Sequence, residues 1–249
     1  MRFSVLTLNL WNVNEPLTAR MSALAAGLKL LRPNIVCLQE VAQGQSECAA
    51  EACGLPHVID NGALSILSRT PIARSHSAAL PEAPHDEPRQ VLLVETLIDG
   101  RPLLVANTHL AWRPEMTAER KAQAATLLIA IERDATKTRI LCGDFNDDAD
   151  SPALRLVSDG DAGFHDAYGA CYPDHPGFTW SRQNPYVDPS TTRDQRIDYI
   201  FASGDLKPDD CAVVFDGDNG LGFASDHFGV FCRFGDAGMI GRQPGTSPG

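Results

Sequence analysis

The 249-residue chain is 43% hydrophobic and carries 21 basic against 32 acidic residues, a formal net charge of −11. That length allows one large α/β domain or two small ones, with ample apolar material for a core. The acidic balance disfavours a long nucleic-acid-tracking surface, whose affinity rests on phosphate neutralisation, and no apolar run approaches the ~20 residues needed to span a bilayer.

Residues 2–9 alternate and turn polar at Asn9, which reads as a buried strand and not as a secretory leader. The turn Asn9-Leu10-Trp11-Asn12 follows. From Leu17 to Leu31 apolar residues recur at helical spacing (Met21, Leu24, Ala25, Leu28, Leu31), and Pro33 stops the helix. Residues 35–40 form a second buried strand with a polar end, residues 43–53 a short helix, and residues 62–68 a third strand turned by Arg69-Thr70-Pro71. Pro81 to Pro88 is a proline- and acid-rich loop. Gln90 to Ile98 and Pro102 to Thr108 pair through the hairpin signal Asp99-Gly100, the second strand ending at His109. A helix is expected from about Thr117 to Ala135.

The next strand runs into Gly143. Alternation beyond it puts Asp144 and Asn146 on one side and Phe145 on the other. Ser151-Pro152 opens a short helix, with Ser at the cap and Pro in the first turn. Residues 170–195 are polar, with prolines and aromatics but little periodicity; a loop that long is functional or disordered. Residues 196–201 and 211–215 read as strands, and Ser225-Asp226-His227 precedes a last strand, Gly229 to Phe234. The expectation is one domain, 1–234, and a flexible Gly/Pro-rich tail, 235–249. Hairpins and helical crossovers together give mixed sheets covered by helices, a layered α/β sandwich.

The seven cysteines lack metal-type spacing. Cys37, Cys142 and Cys232 lie in apolar strand-like runs and read as small buried hydrophobes. Cys48 and Cys53 read as free thiols on the short helix. A reducing, cytoplasmic setting is the simplest expectation. No interface is marked, so the default is a monomer.

Asn9, Glu40, His109, Asp144, Asn146, Asp198, Asp226 and His227 each sit where an apolar run stops or starts. Singly, each has a plain structural reading: a turn former, a solvated cap, a half-buried histidine, or a surface pair of Arg196 with Asp198 worth little. Aligned on one sheet edge, they form a cleft of carboxylates, amides and imidazoles. Such hard oxygen donors suit Mg²⁺ or Mn²⁺. No thiolate takes part, which argues against a structural zinc site.

The segments Leu-Thr-Leu-Asn-Leu-Trp (6–11), Leu-Gln-Glu-Val (38–41), Asn-Thr-His-Leu (107–110), Gly-Asp-Phe-Asn (143–146), Arg-Ile-Asp-Tyr-Ile-Phe (196–201) and Ser-Asp-His-Phe (225–228) carry a resemblance. In this order the chain resembles the endonuclease/exonuclease/phosphatase superfamily, metal-dependent phosphoesterases related to pancreatic-type deoxyribonuclease. The resemblance implies a four-layer α/β/β/α sandwich of two mixed β-sheets with the site at one edge. It implies Glu40 as the main Mg²⁺ ligand with Asn9 beside it, and Asp226 binding metal directly or through water. It implies Asp144 orienting the attacking water, Asn146 holding water or phosphate, and His227 on a phosphate oxygen with Asp198 fixing its tautomer. It further implies that His109 donates to the phosphate or leaving group. Family members acting on abasic sites tend to carry tyrosine at the position of His109, which speaks against that role.

The substrate is read from the 170–195 loop, which must end beside the site. Trp180, Arg182 and Arg193 there can stack a ring and hold a second anionic group; the competing reading is that Trp180 packs the loop and the arginines are solvated. Trp11 and Arg113 line the opposite rim, and Arg69 and Arg89 are expected in structural pairs. The first functional expectation is a Mg²⁺-dependent hydrolase of a small or medium phosphate ester. The second is a nuclease, and the third a non-catalytic binding scaffold, which the complete polar set argues against.

Overall fold

The computed structural model describes residues 1–160, 162–190, 192–204, 206–218 and 220–235. Of the expected tail, 235–249, residues 236–249 lie outside the described residues. In chain order the elements are β1 (Phe3–Asn9), α1 (Leu17–Leu31), β2 (Ile35–Gln39), α2 (Gln45–Cys53), β3 (His57–Asp60), β4 (Leu64–Ser68), β5 (Ile72–Ala79), β6 (Gln90–Ile98), β7 (Arg101–His109), α3 (Thr117–Glu132), β8 (Arg139–Asp144), α4 (Pro152–Ser158), β9 (Phe164–Asp166), α5 (Ala167–Cys171), β10 (Asp198–Ser203), β11 (Pro208–Val214) and β12 (Gly229–Phe234). The expected strands and helices are present, with boundaries moved by a few residues. Three strands had no reading in the sequence. β3 and β9 are too short to show a period, and β5 is an edge strand, largely solvent-exposed, with polar residues on both faces.

The strands form two six-stranded sheets, ordered β11-β12-β1-β2-β4-β3 and β5-β6-β7-β8-β10-β9. The two orders correspond position by position. Each has a parallel central pair joined by a helix, β1–α1–β2 in one and β7–α3–β8 in the other, flanked on both sides by antiparallel neighbours. Both central pairs run toward the same edge, so the ends of β1, β2, β7 and β8 converge there. Crevices at the carboxyl ends of parallel strands are the usual place for a ligand in such sheets.

Both faces of the central strands are covered, which is why they read as near-continuous apolar runs. Between the sheets lies one core (Val5, Ile35, Cys37, Val94, Val105, Ile140, Cys142, Ile200). Leu6, Leu8, Val36 and Leu38 face the opposite way onto Leu24 and Leu28 of α1. Leu93, Ala106 and Leu141 pack on Leu127 and Ile131 of α3. The result is the four-layer α/β/β/α sandwich. Beneath the site edge the inter-sheet core turns polar. Gln39 Nε2 donates to Thr7 Oγ1 (3.0 Å) and across the sheets to Asn107 Oδ1 (2.7 Å). Asn107 Nδ2 donates to the Leu38 and Ser65 carbonyls. These bonds tie the sheets together directly under the site.

One cysteine expectation is corrected. Cys232 is not a free thiol: the β11–β12 register sets it opposite Cys211, and the two are disulfide-bonded with Cα atoms 4.1 Å apart. Nothing local in the sequence pairs these strands, so the partner was not visible there. Cys37, Cys48, Cys53 and Cys142 are free. No described helix is long and apolar enough to cross a membrane.

Candidate active site

Asn9 ends β1 opposite Gln39, and His109 ends β7 opposite Asp144 at the end of β8. Gly143 lets β8 approach β7 so closely. It holds φ of 140°, and a Cβ there would collide with the Thr108 carbonyl. Just past the strand ends, four non-glycine residues adopt positive φ: Trp11 (54°), Asn12 (50°), Glu40 (49°) and Asn146 (52°). Left-handed backbone at such residues costs of order 1–3 kcal/mol each, and it gathers where function over-determines geometry.

The polar side chains converge on Asp144. Its Oδ2 accepts from Asn9 Nδ2 at 3.0 Å and lies 3.5 Å from His109 Nε2 and 3.8 Å from His227 Nε2. Its Oδ1 accepts the Asn146 backbone N–H at 2.9 Å. The Asn146 side chain donates to the Leu110 carbonyl. Asn9 Nδ2 also donates to Glu40 Oε1 at 3.0 Å, so one amide spans two carboxylates. His227 Nδ1 meets Asp198 Oδ2 at 2.9 Å, and both residues are buried. Ser225 Oγ donates to Asp226 Oδ1 at 3.0 Å.

These contacts divide the two histidines. Burial alone would lower the His227 pKa, but the negative charges of Asp198 and Asp144 raise it well above the ordinary value, which favours the imidazolium. His109 is pushed down to about 3 by burial, with Asp144 opposing too weakly, so it is neutral. Asp226 rises to about 6, first from burial, with His227 opposing and Glu40 and Asp144 adding to the rise.

The donor set fits a hard divalent cation. Glu40, Asp144 and Asp226 gather three carboxylates; the upward shift of Asp226 comes first from burial, with Glu40 and Asp144 adding to it, and a cation there offsets both. The ligand atoms of Asp144, Asp198 and His227 also lie within 4.8 Å of one another, although one Asp198 oxygen and one His227 nitrogen are spent on each other. Asn9 departs from the expected ligand role. Its oxygen accepts the Trp11 N–H at 2.9 Å, which fixes its nitrogen toward the carboxylates. An amide nitrogen bearing protons has no lone pair for a metal, so Asn9 bridges the carboxylates here.

The expected substrate contacts are scattered. Trp180 reaches the site and packs its ring 4.9 Å from that of His227. Trp11 stacks on Tyr186 at 5.8 Å, at the rim. Arg182 is taken up by Asp194 at 2.7 Å and Arg193 by Asp148 at 2.8 Å. Arg113 donates to the His85 carbonyl and stacks on Trp112 at 4.7 Å. Arg89 pairs with Asp86 at 2.6 Å, and Arg69 donates to backbone carbonyls. A cavity of about 610 Å³ opens on the other side, bounded by Asn12, Glu40, His109, Trp112 and residues 85–90. Its wall comes from the proline- and acid-rich loop, which the sequence reading had not tied to the site.

Several positioning residues escaped the sequence. Thr179 is fully buried, and its hydroxyl accepts the N–H groups of Ile197 and Asp198 at 3.1 Å, holding the start of β10. Arg20 is buried in α1 and donates to the carbonyls of Leu10, Asn12, Asn14 and Ala224. Arg120 does the same from α3, to Ala111, Arg113 and Pro114, with Asp147 at 2.8 Å. The two arginines follow their strand-end residues at equal spacing (Asn9 to Arg20, His109 to Arg120). That repeat was the available signal.

Residues 6–227 match the model of the Endonuclease/Exonuclease/phosphatase family. The human protein named Protein angel homolog 1 is 37% identical over 70 residues, 26% of this chain and 10% of that protein, so the match spans a small part of that relative. Among solved structures, TDP2 from Caenorhabditis elegans superposes with a TM-score of 0.80 at 23% identity, covering 94% of this chain and 75% of that one. D. rerio TDP2, complexed with single strand DNA product, gives 0.78 at 23% identity over 94% of this chain and 99% of that one.

Proposed function

The chain belongs to the endonuclease/exonuclease/phosphatase family, whose members are phosphoric ester hydrolases, and from that premise we propose that it is a Mg²⁺-dependent hydrolase of a small or medium phosphate ester, with Mn²⁺ as a substitute. The observation that carries this reading is the convergence on Asp144 of a neutral His109, a cationic His227 and the Asn9 bridge to Glu40. Glu40 and Asp226 are the residues that would hold the metal, with Asn9 orienting Glu40. When bound, the ion supplies Lewis acidity and charge neutralisation on the phosphate.

The chain's own groups account for the rest. Asp144 orients a water for in-line attack and accepts its proton; its second oxygen is held by the Asn146 N–H. His227, kept cationic by Asp198, stabilises charge on a non-bridging oxygen. Neutral His109 donates a hydrogen bond to the phosphate or the departing oxygen, and the departing alkoxide takes its proton from solvent. Its Nε2 is buried and has no hydrogen-bond partner among the described residues, which suits an atom that pairs with substrate.

A second reading, hydrolysis of nucleic-acid phosphodiesters, is supported by the likeness to the D. rerio protein solved with a DNA product. One experiment separates them: purified protein with Mg²⁺ or Mn²⁺ against phosphodiesters, phosphomonoesters, single- and double-stranded DNA, RNA and phospholipids. Turnover of nucleic acid alone, abolished by Asp144→Asn, replaces the first reading with the second. Turnover that survives a chelator overturns the metal-assisted mechanism.

A further inference from the structure

The sequence alone tied the 170–195 loop to the substrate. The bonds of its buried residues run inward instead, to the backbone that carries the catalytic pair. β9 pairs with β10 over Phe201–Ser203, so that ladder stops short of Asp198. Thr179, fully buried, takes over there. Its Oγ1 has two lone pairs, and it accepts the N–H groups of Ile197 and Asp198, each at 3.1 Å. Its carbonyl accepts the Phe228 N–H at 2.7 Å, one residue past His227. The Ile197 carbonyl in turn accepts the Phe145 N–H at 2.8 Å, one residue past Asp144. The backbones carrying Asp198, His227 and Asp144 are therefore all linked through Thr179 and its partner Ile197.

A second buried residue braces the His227 side. Asn184, 2% exposed, donates from Nδ2 to the Ser225 carbonyl at 2.9 Å. Its Oδ1 accepts the Tyr186 N–H at 3.0 Å, which fixes the end of the amide that faces Ser225. Between the two, Trp180 is held by Gln195 through both its N–H and its carbonyl, and its ring lies 4.9 Å from that of His227. The 2.9 Å contact of His227 Nδ1 with Asp198 Oδ2 joins two sheets, so it holds only while both backbones stay in place. A misplacement of about 1 Å can cost about 10²-fold in rate.

We propose that Thr179 is a positioning residue: it sets the Asp198–His227 contact, with Asn184 bracing the His227 side, and through that contact it governs the rate of the phosphoester hydrolysis on whose reading this inference rests. Both residues act through the pair and not on the substrate.

Thr179→Val nearly keeps the volume and leaves two buried N–H groups without an acceptor, while Thr179→Ser keeps the hydroxyl. Both are compared with the natural full chain on bis(para-nitrophenyl) phosphate with Mg²⁺, well below the Tm. Thr179→Val is expected to lower kcat about 10–100-fold with KM little changed, and Thr179→Ser to restore most of the rate. Added to Asp198→Asn, Thr179→Val is expected to cost no more than about a further twofold, because the contact it sets is already weakened. An unchanged kcat in Thr179→Val, a Thr179→Ser no faster than Thr179→Val, or a loss of equal size in both backgrounds overturns the inference. If Thr179→Val does not fold, Asn184→Ala is read in the same two backgrounds, and an unchanged kcat or an equal loss in both overturns it.

A second readout needs no turnover. A carboxylate only accepts, so His227 Nδ1 carries the proton, and its resonance is assigned by its loss in His227→Ala. If the natural chain turns over none of the phosphoesters, the hydrolase reading fails and this resonance alone decides. Its upfield movement or loss in Thr179→Val, with Thr179→Ser unmoved, upholds the positioning role. An unmoved resonance in Thr179→Val, or in Asn184→Ala where the first variant does not fold, overturns it.

Discussion

His227 Nδ1 and Asp198 Oδ2 meet at 2.9 Å across the seam between the two sheets. Asp198 opens β10 in one sheet, and His227 precedes β12 in the other. The pair therefore exists only when the sandwich is closed. It also sets the charge of the imidazole, because Asp198 and Asp144 outweigh the burial that would otherwise deprotonate it.

Asp198→Asn keeps the shape and removes that charge. The expected loss in kcat is about 10²–10⁴-fold. The folded His227 pKa is raised, so the active cation persists as pH rises until that pKa is passed. In Asp198→Asn the alkaline limb of the pH–rate profile moves to lower pH. An unmoved limb would remove His227 as the cation.

Asp226 gives a stability prediction for the metal-free protein. Its folded pKa is about 6, above the value of roughly 3.9 for an unfolded aspartate. The group's contribution to stability is fully present below the unfolded value and is lost as pH rises through about 6. With chelator present, Asp226→Asn is expected to be more stable than the natural chain at neutral pH, by up to about 3 kcal/mol. The difference shrinks toward pH ~4. Mg²⁺ should raise the Tm of the natural chain more than that of the variant. Thermal denaturation across pH, with and without Mg²⁺, reads both effects.

Gly143→Ala tests the close approach of β7 and β8. The added Cβ meets the Thr108 backbone, which cannot rotate away, and φ of 140° is itself unfavourable for alanine. A loss of at least about 2 kcal/mol in urea unfolding is expected. Activity should fall further than stability explains, since Asp144 is the next residue.

Arg20→Ala and Arg120→Ala remove the buried guanidiniums that hold the strand-to-helix loops. Each leaves several backbone carbonyls without a donor, so each is expected to lower stability by about 2–4 kcal/mol. Arg20→Ala should also increase hydrogen exchange in residues 10–14 before global unfolding. Protection unchanged in that loop would mean that the Trp11 contacts, not Arg20, hold it.

Much of the site was legible because strands announce themselves. The runs ending at Asn9, Gln39-Glu40, His109 and Asp144 are apolar on both faces, and a polar residue at their end stands out. Thr179 did not stand out, since its role is to receive two N–H groups from residues far along the chain. The 170–195 loop brings Trp180 against His227, yet its arginines pair with Asp194 and Asp148. Cavity walls were the least legible part. The 85–90 segment has no periodicity, and its place beside Glu40 follows from the β5–β6 hairpin in the opposite sheet.

By itself the sequence determined which apolar runs are buried, which strands end in polar groups, and the ordered motifs that mark the family. These are consequences of local pattern: burial demands apolar alternation, and chemistry demands polar residues where it stops. The tertiary structure alone decided how those ends act on one another. It set Asn9 between Glu40 and Asp144, raised the pKa of His227 and lowered that of His109, joined Cys211 to Cys232, and paired Arg89, Arg182 and Arg193 with carboxylates. Protonation, pairing and cavity shape depend on distances of a few ångströms between groups far apart in the chain, and only the packing of two sheets face to face fixes those distances.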